Sequence, residues 1–563
     1  MGIQKIIIEN FKGFKDRFTL EFNPKMNILV GDNETGKTTI LQAIHLALTG
    51  IYEGRNISRA LSPYLFNQES VQEYINKVNA HENPLPPSIL IEITFEPVDP
   101  RFEGNGNLEN ESNVEGISLK IAFDEVYKKE YEDFIKEEIR SIPIEYYKIS
   151  WASFAREIMT PYRFPVRSAL IDSSTYRYQN GSDIFVSRIV KTILDDDDIA
   201  EIRKANRKMI DDFAGQTIIK RINNKIGDKT ASVSGKVELK ANQGNMDSWQ
   251  NNVTTHVSGI PFEYVGKGAQ SILKTELALG SKKSERTSVI LLEEPENHLS
   301  YSKLNILTDA ITRKYQDKQI IVSTHSSFVA NKLGLDHLIL LKNHKTTKIS
   351  ELDSARYFKA LAGYDTLRLI LCKKAILVEG SSDELVVQRA YMDSHDGKLP
   401  IQNGVDVISV NGLSFLRYLE IADKLKIVTA VVSDNDGNID RVIKKYKDYL
   451  EENAKENIKI CIDMEVDPGG DLKIDDKPYN YNTLEPKLLK ANSLQLFNEI
   501  FKKRYKNEDD LRKYMKNNKA VCALAIFESE KRINYPEYIM KAVRDEQIID
   551  CCCRRWQNYI FGE

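Results

Sequence analysis

The sequence predicts an α/β protein with more than one domain, and three observations support this fold class. A glycine-rich loop lies between a short apolar strand and a helix within residues 26–48. Apolar strands alternate with helical stretches between residues 287 and 341, and a second set of strands follows Leu371. The chain has 563 residues, so two or three domains are expected rather than one hydrophobic core.

The loop Gly31–Thr39 fits the phosphate-binding template of Gly, four residues and Gly-Lys-Ser/Thr. Met26–Val30 predicts a buried strand before it, and apolar spacing predicts a helix over 39–48. Backbone N–H groups of such a loop and the positive end of the helix would bind phosphate oxygens. Lys37 would reach the β and γ phosphates and Thr38 would hold Mg²⁺. The expected nucleotide-binding residues of this loop are Asn33, Gly36, Lys37, Thr38 and Thr39. The alternative, a chance glycine-rich turn, does not account for the flanking strand and helix.

Composition limits the classes of partner. Charged residues make up 29% of the chain and hydrophobic residues 41%, as in soluble globular proteins. The formal net charge is −3, so a DNA site would have to be a local basic patch or bind through metal ions. The six cysteines show no metal-ligand spacing, which favours a reducing cytoplasm. No signal peptide is expected at the N-terminus, and no apolar run approaches the ~18 residues that span a membrane.

Residues 183–213 change in character and predict two amphipathic helices. Val186, Val190 and Ile193 share one stripe, and a second stripe runs from Ile199 to Phe213. The aspartates at 195–198 lie between them, either as a metal site or as a solvated connector that begins the second helix. A helical insertion of this kind suggests an arm or a dimer contact.

Carboxylates end the next apolar strand, over 287–292. Glu293 is placed to hold Mg²⁺ or its water, and Glu294 to activate the attacking water. His325 ends the following strand, where it either contacts the γ-phosphate or is an ordinary strand-end histidine. The string Gly266-Lys267-Gly268-Ala269-Gln270 opens a helix, and its N–H groups would bind the γ-phosphate of a second subunit.

These motifs resemble the ABC-type ATPase heads of the SMC/RecF group over about residues 1–360. The resemblance implies ATP, Mg²⁺ and two subunits that enclose the nucleotides, with Gly266, Gly268 and Gln270 as contacts. Family members commonly carry Ser-Gly-Gly-Gln, whereas this sequence has Gly-Lys-Gly-Ala-Gln, the form associated with OLD-like ATPases.

A second carboxylate set follows Leu371. Glu379 ends an apolar strand, Asp383 lies at the start of a helix, and Asp434 and Asp436 end another strand. Because alternate residues of a strand point the same way, we expect the last two to share a face. Carboxylates so arranged repel each other unless cations are bound, and with one or two Mg²⁺ or Mn²⁺ ions they would form a phosphodiester site.

Together these residues resemble a TOPRIM domain over about residues 370–545. The resemblance adds Glu485, within Tyr-Asn-Thr-Leu-Glu, as a metal ligand. It also adds Lys519, which would stabilise the pentavalent phosphate or is simply a solvated lysine. An ABC head followed by TOPRIM resembles the OLD (overcoming lysogenization defect) nucleases, which serve in anti-phage defence, including Gabija-type and retron-associated systems.

The sequence thus predicts an ABC-type P-loop ATPase head with a helical insertion, followed by a C-terminal parallel-sheet TOPRIM domain. The expected parts are the ATPase (1–165 and 235–365), the insertion with a role in dimerisation (166–234), the TOPRIM domain (366–547) and a tail (548–563). We expect a metal-dependent DNA endonuclease, gated by ATP and assembled as a homodimer or higher homo-oligomer. The resemblance also implies a helicase, or a reverse transcriptase with its small DNA, as a partner.

Two rival functions stay open. One is a RecF/SMC-like repair ATPase whose TOPRIM domain only binds DNA. The other is a TOPRIM topoisomerase or primase, but the sequence leaves no visible room for a cleavage-tyrosine domain or a template-binding module.

Overall fold

The computed structural model describes residues 2–97, 99–172, 178–179, 182–183, 194, 196–229, 237–240, 248–251, 253–280, 288–297, 299–314, 318–342, 344–351, 364–411 and 415–544. The predicted helix with Val186, Val190 and Ile193, and the cysteines at 551–553, lie outside these residues. The chain divides into two compact units, Met1–Lys348 and Ile349–Glu563. Within the described ranges, every helix is too short or too polar to cross a lipid bilayer.

The first unit is built from strands and helices in a mixed order. Its strands are β1 (Ile3–Glu9), β2 (Phe18–Glu21), β3 (Met26–Gly31), β4 (Ile51–Tyr52), β5 (Arg55–Asn56), β6 (Ile89–Phe95), β7 (Gly116–Phe123), β8 (Tyr147–Ser153), β9 (Ile158–Met159), β10 (Ser168–Asp172), β11 (Tyr178–Gln179), β12 (Ser182–Asp183), β13 (His256–Val257), β14 (Ile260–Pro261), β15 (Val289–Glu293), β16 (Gln319–Ser323), β17 (Leu338–Lys342) and β18 (Lys345–Lys348). Its helices are α1 (Lys37–Thr49), α2 (Ile57–Ala60), α3 (Gln68–Asn79), α4 (Lys128–Phe134), α5 (Asp196–Gly215), α6 (Thr217–Lys229), α7 (Lys267–Gly280), α8 (Tyr301–Lys314) and α9 (Ser327–Leu333).

Two larger sheets form this unit. An antiparallel sheet has the strand order β2-β1-β6-β7-β8-β9. The other sheet has the order β10-β15-β16-β3-β17-β18 and is parallel except for its last strand. Every residue of β3, β15 and β16 is buried, which explains their unbroken apolar sequences.

Helix α1 lies between the two sheets, because it packs against β6 and β7 as well as β3, β10, β15 and β16. The buried surface of α1 is therefore wider than one stripe along the helix. Ala43 and Leu46 are fully buried along with Ile40, Leu41 and Ile44. The helix that follows the phosphate loop is thus packed between two sheets. This packing fixes the N-terminus of α1, where the loop joins it.

The second predicted amphipathic helix is present as α5, which begins within the aspartate run at Asp196. It is followed by α6, which was not predicted as a separate helix. The two helices pack together. Apolar side chains stay exposed on this pair: the exposed fraction is 51% for Met209, 49% for Phe213 and 45% for Ile218.

The second unit has a parallel sheet with the order β20-β19-β21-β22. Its strands are β19 (Lys374–Val378), β20 (Val405–Ser409), β21 (Val428–Ser433), β22 (Ile458–Ile462), β23 (Lys473–Ile474) and β24 (Lys477–Pro478). Its helices are α10 (Tyr364–Leu371), α11 (Ser381–Ser394), α12 (Phe415–Lys424), α13 (Ile439–Tyr446), α14 (Leu484–Ala491), α15 (Leu494–Ile500), α16 (Glu508–Asn517), α17 (Lys519–Glu528) and α18 (Glu537–Val543). Strands β19 and β21 are neighbours, so the residues after them emerge at one edge of the sheet.

The strand geometry expected at this edge is wrong, because the two aspartates are not strand residues. Asp434 and Asp436 were expected to share a face as alternate residues of a strand, but β21 ends at Ser433. Asp436 has a left-handed backbone with φ of 48°, and Gly437 follows with φ of 86°. The two aspartates therefore lie on a tight turn, whose geometry and not strand alternation sets where they point.

Candidate functional sites

The phosphate loop has two glycines that no other residue can replace without a steric clash. A Cβ on Gly31 would lie 2.5 Å from the carbonyl oxygen of Leu341. Gly36 has φ of 95°, and a Cβ there would lie 2.6 Å from the ring of Phe14. The loop is thus held against the neighbouring strand and an aromatic side chain, while Asn33 is exposed at its tip.

Lys37 and Thr38 begin α1 with their polar atoms inside the site. The Lys37 side chain is 5% exposed, and its Nζ donates to the carbonyl oxygens of Gly31 (2.9 Å) and Asp32 (2.7 Å). Burial lowers the pKa of Lys37, although nearby carboxylates oppose that shift. Thr38 Oγ1 donates to Glu293 Oε1 at 2.5 Å, which joins the loop to the end of β15. Thr39 is partly buried in the first turn.

Glu293 is 8% exposed at the end of β15. Burial raises the pKa of Glu293 to about 6, and the hydrogen bond from Thr38 acts in the opposite direction. Asp172 and Glu294 add repulsion. A buried carboxylate beside a hydroxyl is the donor set that Mg²⁺ uses in nucleotide sites, so this pair fits a Mg²⁺ ion bound with ATP.

Glu294 is held from both sides of its carboxylate. Its Oε2 accepts a hydrogen bond from Asn297 Nδ2 at 2.7 Å, and its Oε1 lies 3.4 Å from His325 Nε2. Its backbone is left-handed, with φ of 42°, and its N–H donates to the carbonyl oxygen of Ser323 at 2.9 Å. A non-glycine residue in this conformation is costly unless neighbours hold it, which is common at functional sites.

Two residues of this site were not predicted from the sequence. Asn297 contacts Glu294 as described, and Glu296 organises the turn after β16. Glu296 Oε1 accepts from Thr324 Oγ1 (2.7 Å), His325 N (2.9 Å) and Ser326 N (3.1 Å). The signal was the Glu-Glu-Pro-Glu-Asn string itself, since polar residues directly after a strand end are candidates for the same site.

The segment Gly266–Gln270 lies at the start of α7. Gly266 is exposed, and no heavy atom of the described residues lies within 4 Å of a Cβ built on it. Gly268 is partly buried in the first turn. Gln270 is 2% exposed, and its Nε2 donates to the carbonyl oxygens of Phe262 (2.6 Å) and Val265 (2.9 Å). Gln270 thus fixes the turn before the helix, while Gly266 lies exposed just before the first residue of α7.

In the second unit, carboxylates come from four segments. Glu379 follows β19 and is exposed, and Asp383 lies in the first turn of α11, where its Oδ2 accepts from Gly380 N at 3.2 Å. Asp434 and Asp436 lie on the turn after β21. Glu485 lies in the first turn of α14 and is 5% exposed.

These carboxylates repel one another. Burial, and then Asp436, Glu379, Asp383 and Glu485, raise the pKa of Asp434 to about 8. Burial together with Glu379 and Glu485 raises the pKa of Asp383 to about 6. The sequence-predicted acidic residues therefore lie within electrostatic reach of one another.

The donor type fits a divalent cation, but the spacing in this structure is wider than a coordination shell. Oxygen ligands and uncompensated negative charge are what Mg²⁺ or Mn²⁺ requires. Among the described residues, however, no three or more His, Cys, Asp or Glu side chains stand close enough to hold one metal ion. The carboxylates are thus close enough to interact electrostatically but do not form a preformed metal-coordination site.

Lys519 lies beside this cluster. It is the first residue of α17, its side chain is 50% exposed, and its Nζ lies 3.1 Å from Glu485 Oε1. Two further contacts were not foreseen from the sequence. Asn480 Nδ2 donates to Asp436 Oδ1 at 3.3 Å, and Thr483 Oγ1 donates to Glu485 Oε2 at 3.3 Å.

Comparison with known protein families agrees with this division. The family model described as "AAA ATPase domain" matches residues 1–158 and 120–330, which is more than half of the 563-residue chain. The chain belongs to the AAA ATPase domain family. The model "Overcoming lysogenization defect protein-like, TOPRIM domain" matches residues 370–436. That match includes Glu379, Asp383, Asp434 and Asp436 but ends before Glu485 and Lys519. The predicted fold class, a P-loop ATPase head followed by a parallel-sheet TOPRIM domain, is confirmed.

Curated relatives match short stretches only. The DNA replication and repair protein RecF of Lactococcus lactis subsp. cremoris (strain MG1363) is 48% identical over 50 residues, 9% of this chain and 14% of the relative. The structural maintenance of chromosomes protein 3 of Arabidopsis thaliana is 31% identical over 103 residues, 18% of this chain and 7% of the relative. The chain thus spans about one seventh of the length of the first RecF relatives.

Solved structures with a similar chain path include SMC heads. The SMC head bound to the C-winged helix domain of ScpA has a TM-score of 0.33 at 13% identity and covers 63% of this chain and 100% of its own. The SMC head domain from Thermotoga maritima has a TM-score of 0.29 at 13% identity and covers 62% and 98%. These values are too low to bear on function.

Proposed function

We propose that this chain is an ATP-hydrolysing, divalent-metal-dependent DNA endonuclease of the OLD family, in which the ATPase gates the nuclease. The observation that carries the proposal is the carboxylate cluster beside a TOPRIM sheet, with Asp434 held at a pKa of about 8 by burial and its acidic neighbours. A domain that only binds DNA has no need of mutually repelling carboxylates, since phosphate groups are bound by positive charge.

In the ATPase unit, each contact suggests a role. Lys37 would exchange its carbonyl partners for phosphate oxygens, and Thr38 with Glu293 would hold Mg²⁺, which supplies charge stabilisation at the transferring phosphate. Glu294 would accept the proton of the attacking water, with Asn297 fixing its carboxylate and His325 adjacent.

In the second unit, Glu379, Asp383, Asp434, Asp436 and Glu485 would hold one or two Mg²⁺ or Mn²⁺ ions. Bound metal would activate water and stabilise the leaving oxygen of a phosphodiester. Lys519 would exchange its contact with Glu485 for the negative charge that develops on the scissile phosphate. Metal binding would have to draw the carboxylates together, which is a reason for the activity to depend strongly on the ion supplied.

Assembly is part of the proposal. Met209, Phe213 and Ile218 leave apolar surface on the α5–α6 pair, and burying such surface against a second copy would be favourable. A homodimer or higher homo-oligomer would also let the exposed start of α7 at Gly266 meet the nucleotide of a second subunit. The proposal also includes a role in anti-phage defence and a helicase or reverse-transcriptase partner. Both rest on the resemblance to OLD nucleases.

A RecF/SMC-like DNA-repair ATPase is the second candidate, and the short match to RecF proteins favours it. The test is incubation of the purified chain with supercoiled plasmid in EDTA, Mg²⁺ or Mn²⁺, each with and without ATP. Nicked or linear DNA that forms only with metal is expected. Plasmid that is bound but stays intact under every metal and nucleotide condition would favour the repair ATPase.

A further inference from the structure

The segment Asp463–Glu465, directly after β22, contacts the Asp434–Asp436 turn through one buried side chain. Asn435 is fully buried between the two aspartates. Its Nδ2 donates to the carbonyl oxygens of Asp463 and Glu465, both at 2.9 Å, and its Oδ1 accepts from Gly437 N at 2.8 Å. One side chain therefore fixes both the shape of the turn and its attachment to the next strand.

The same segment contacts the helix that carries Glu485. Lys487 lies two residues further along α14 and is 5% exposed. Its Nζ lies 2.7 Å from Asp463 Oδ2 and also donates to the carbonyl oxygen of Glu465. Asp463 Oδ1 in turn accepts from Glu465 N at 3.1 Å. A buried ion pair thus connects α14 to the segment Asp463–Glu465, and Asn435 hydrogen-bonds to the same segment.

We propose that Asn435 and Lys487 are positioning residues that set the distance between the Asp434–Asp436 turn and Glu485, and thereby the affinity for divalent metal. This inference rests on the proposed nuclease function. Neither side chain is assigned a contact with metal or DNA. Both act through the segment Asp463–Glu465.

A positioning role has two physical reasons behind it. The carboxylates repel each other, so without rigid attachments the turn and α14 would move apart, and ligand geometry must hold within about 0.5 Å to be productive. A buried ion pair is also a poor source of stability, because an apolar pair of similar volume often serves as well. Lys487 with Asp463 is therefore better explained by the orientation it imposes than by the stability it adds.

The test uses the full chain and removes the ion pair without leaving a buried charge. Lys487→Met with Asp463→Asn replaces it by a neutral pair that keeps the acceptor for Glu465 N. Lys490→Met is the matched control, since Lys490 lies on the same helix and pairs with Glu465 (2.6 Å) and Asp467 (3.1 Å) but is 46% exposed. Asn435→Ala breaks the other attachment.

Mn²⁺ binding is measured by titration calorimetry without nucleotide. The difference between wild type and Asp434→Asn gives the part of the binding that is due to the carboxylate cluster. We expect the double variant and Asn435→Ala to bind Mn²⁺ at least about tenfold more weakly, as outer-sphere changes do at metal sites. The kcat for plasmid nicking should fall with KM for DNA unchanged. The control should match wild type, and ATP hydrolysis should persist in all variants.

Lys487→Arg keeps the positive charge beside Asp463 but has a longer side chain. This variant tests the inference if the double variant does not fold. A positioning role predicts Mn²⁺ affinity between those of wild type and Asp434→Asn, whereas a purely structural role predicts wild-type affinity. Folded variants whose Mn²⁺ affinity and kcat lie within twofold of wild type would overturn the inference. A wild-type chain whose Mn²⁺ binding equals that of Asp434→Asn would instead overturn the proposed function.

Discussion

Asn297 Nδ2 donates a 2.7 Å hydrogen bond to one carboxylate oxygen of Glu294, while His325 Nε2 lies 3.4 Å from the other. The carboxylate is thus oriented before any substrate arrives. Preorganised contacts of this kind are what a general base needs, because its reach to the attacking water is fixed within hydrogen-bond distance.

Replacement of Glu294 should separate ATP binding from ATP hydrolysis. Glu294→Gln keeps the shape and the contact from Asn297 but removes the proton acceptor, so we expect hydrolysis to fall by about 10²–10⁴-fold while ATP still binds. Lys37→Ala should lose binding as well, since it removes the buried ammonium of the loop. Phosphate release and ATP titration calorimetry give the two readouts. Normal turnover by Glu294→Gln would assign the base elsewhere.

The Asp434 turn should make stability depend on pH when metal is absent. The pKa of Asp434 is raised from 3.8 to about 8, so the folded chain holds a proton that the unfolded chain has released between pH 4 and pH 8. The free energy of unfolding therefore falls as pH rises through this window, by at most about 1.4 kcal/mol for each pH unit. Asp383, whose pKa is raised to about 6, adds to the fall in the lower part of the window.

Asp434→Asn should remove most of that dependence. In EDTA we expect the variant to melt at a higher temperature than wild type at pH 9 and at nearly the same temperature at pH 4. Mn²⁺ should stabilise wild type more at pH 8 than at pH 6, because the metal competes with the proton. Scanning calorimetry of both chains over this pH range makes the comparison. Equal pH profiles in EDTA would contradict the coupling of the carboxylates.

The exposed apolar side chains of α5 should mark a contact between copies. Met209→Glu and Ile202→Glu place a charge on the stripe that we propose is covered in the oligomer, and should shift the mass measured by light scattering towards the monomer. Lys204→Glu changes charge on the polar part of the same helix and should leave the mass unchanged. A folded Met209→Glu chain of wild-type mass would mean that this stripe contacts no second copy.

The sequence predicts strands well where the apolar run is continuous, as in β3, β15 and β16, because a strand buried on both faces needs apolar residues at nearly every position. Strand β22 was missed, since Ile458–Ile462 is short, alternating and follows a charged stretch. Helix α6 was missed because its many polar residues give no clear signal for the break between α5 and α6 at Gln216.

The identity of the site residues is easier to predict than their arrangement. Glu485 and Lys519 were chosen separately by family resemblance, and the fold brings them to 3.1 Å. The backbone of Asp436 could not be foreseen, because a left-handed turn after a strand depends on what anchors it, here the buried Asn435. Lys487 gives no signal in the sequence, since its partners lie in the segment after β22, which is distant in sequence.

The carboxylate cluster is proposed to cleave DNA in a unit whose chemistry is separate from ATP hydrolysis. The decisive measurement is a plasmid assay in Mn²⁺ beside an ATPase assay, with wild type, Glu379→Ala and Asp434→Ala. Both variants should lose nicking and cutting while keeping ATP hydrolysis close to wild type. DNA cleavage that survives Asp434→Ala, or ATP hydrolysis that is lost together with it, would contradict this separation of the two activities.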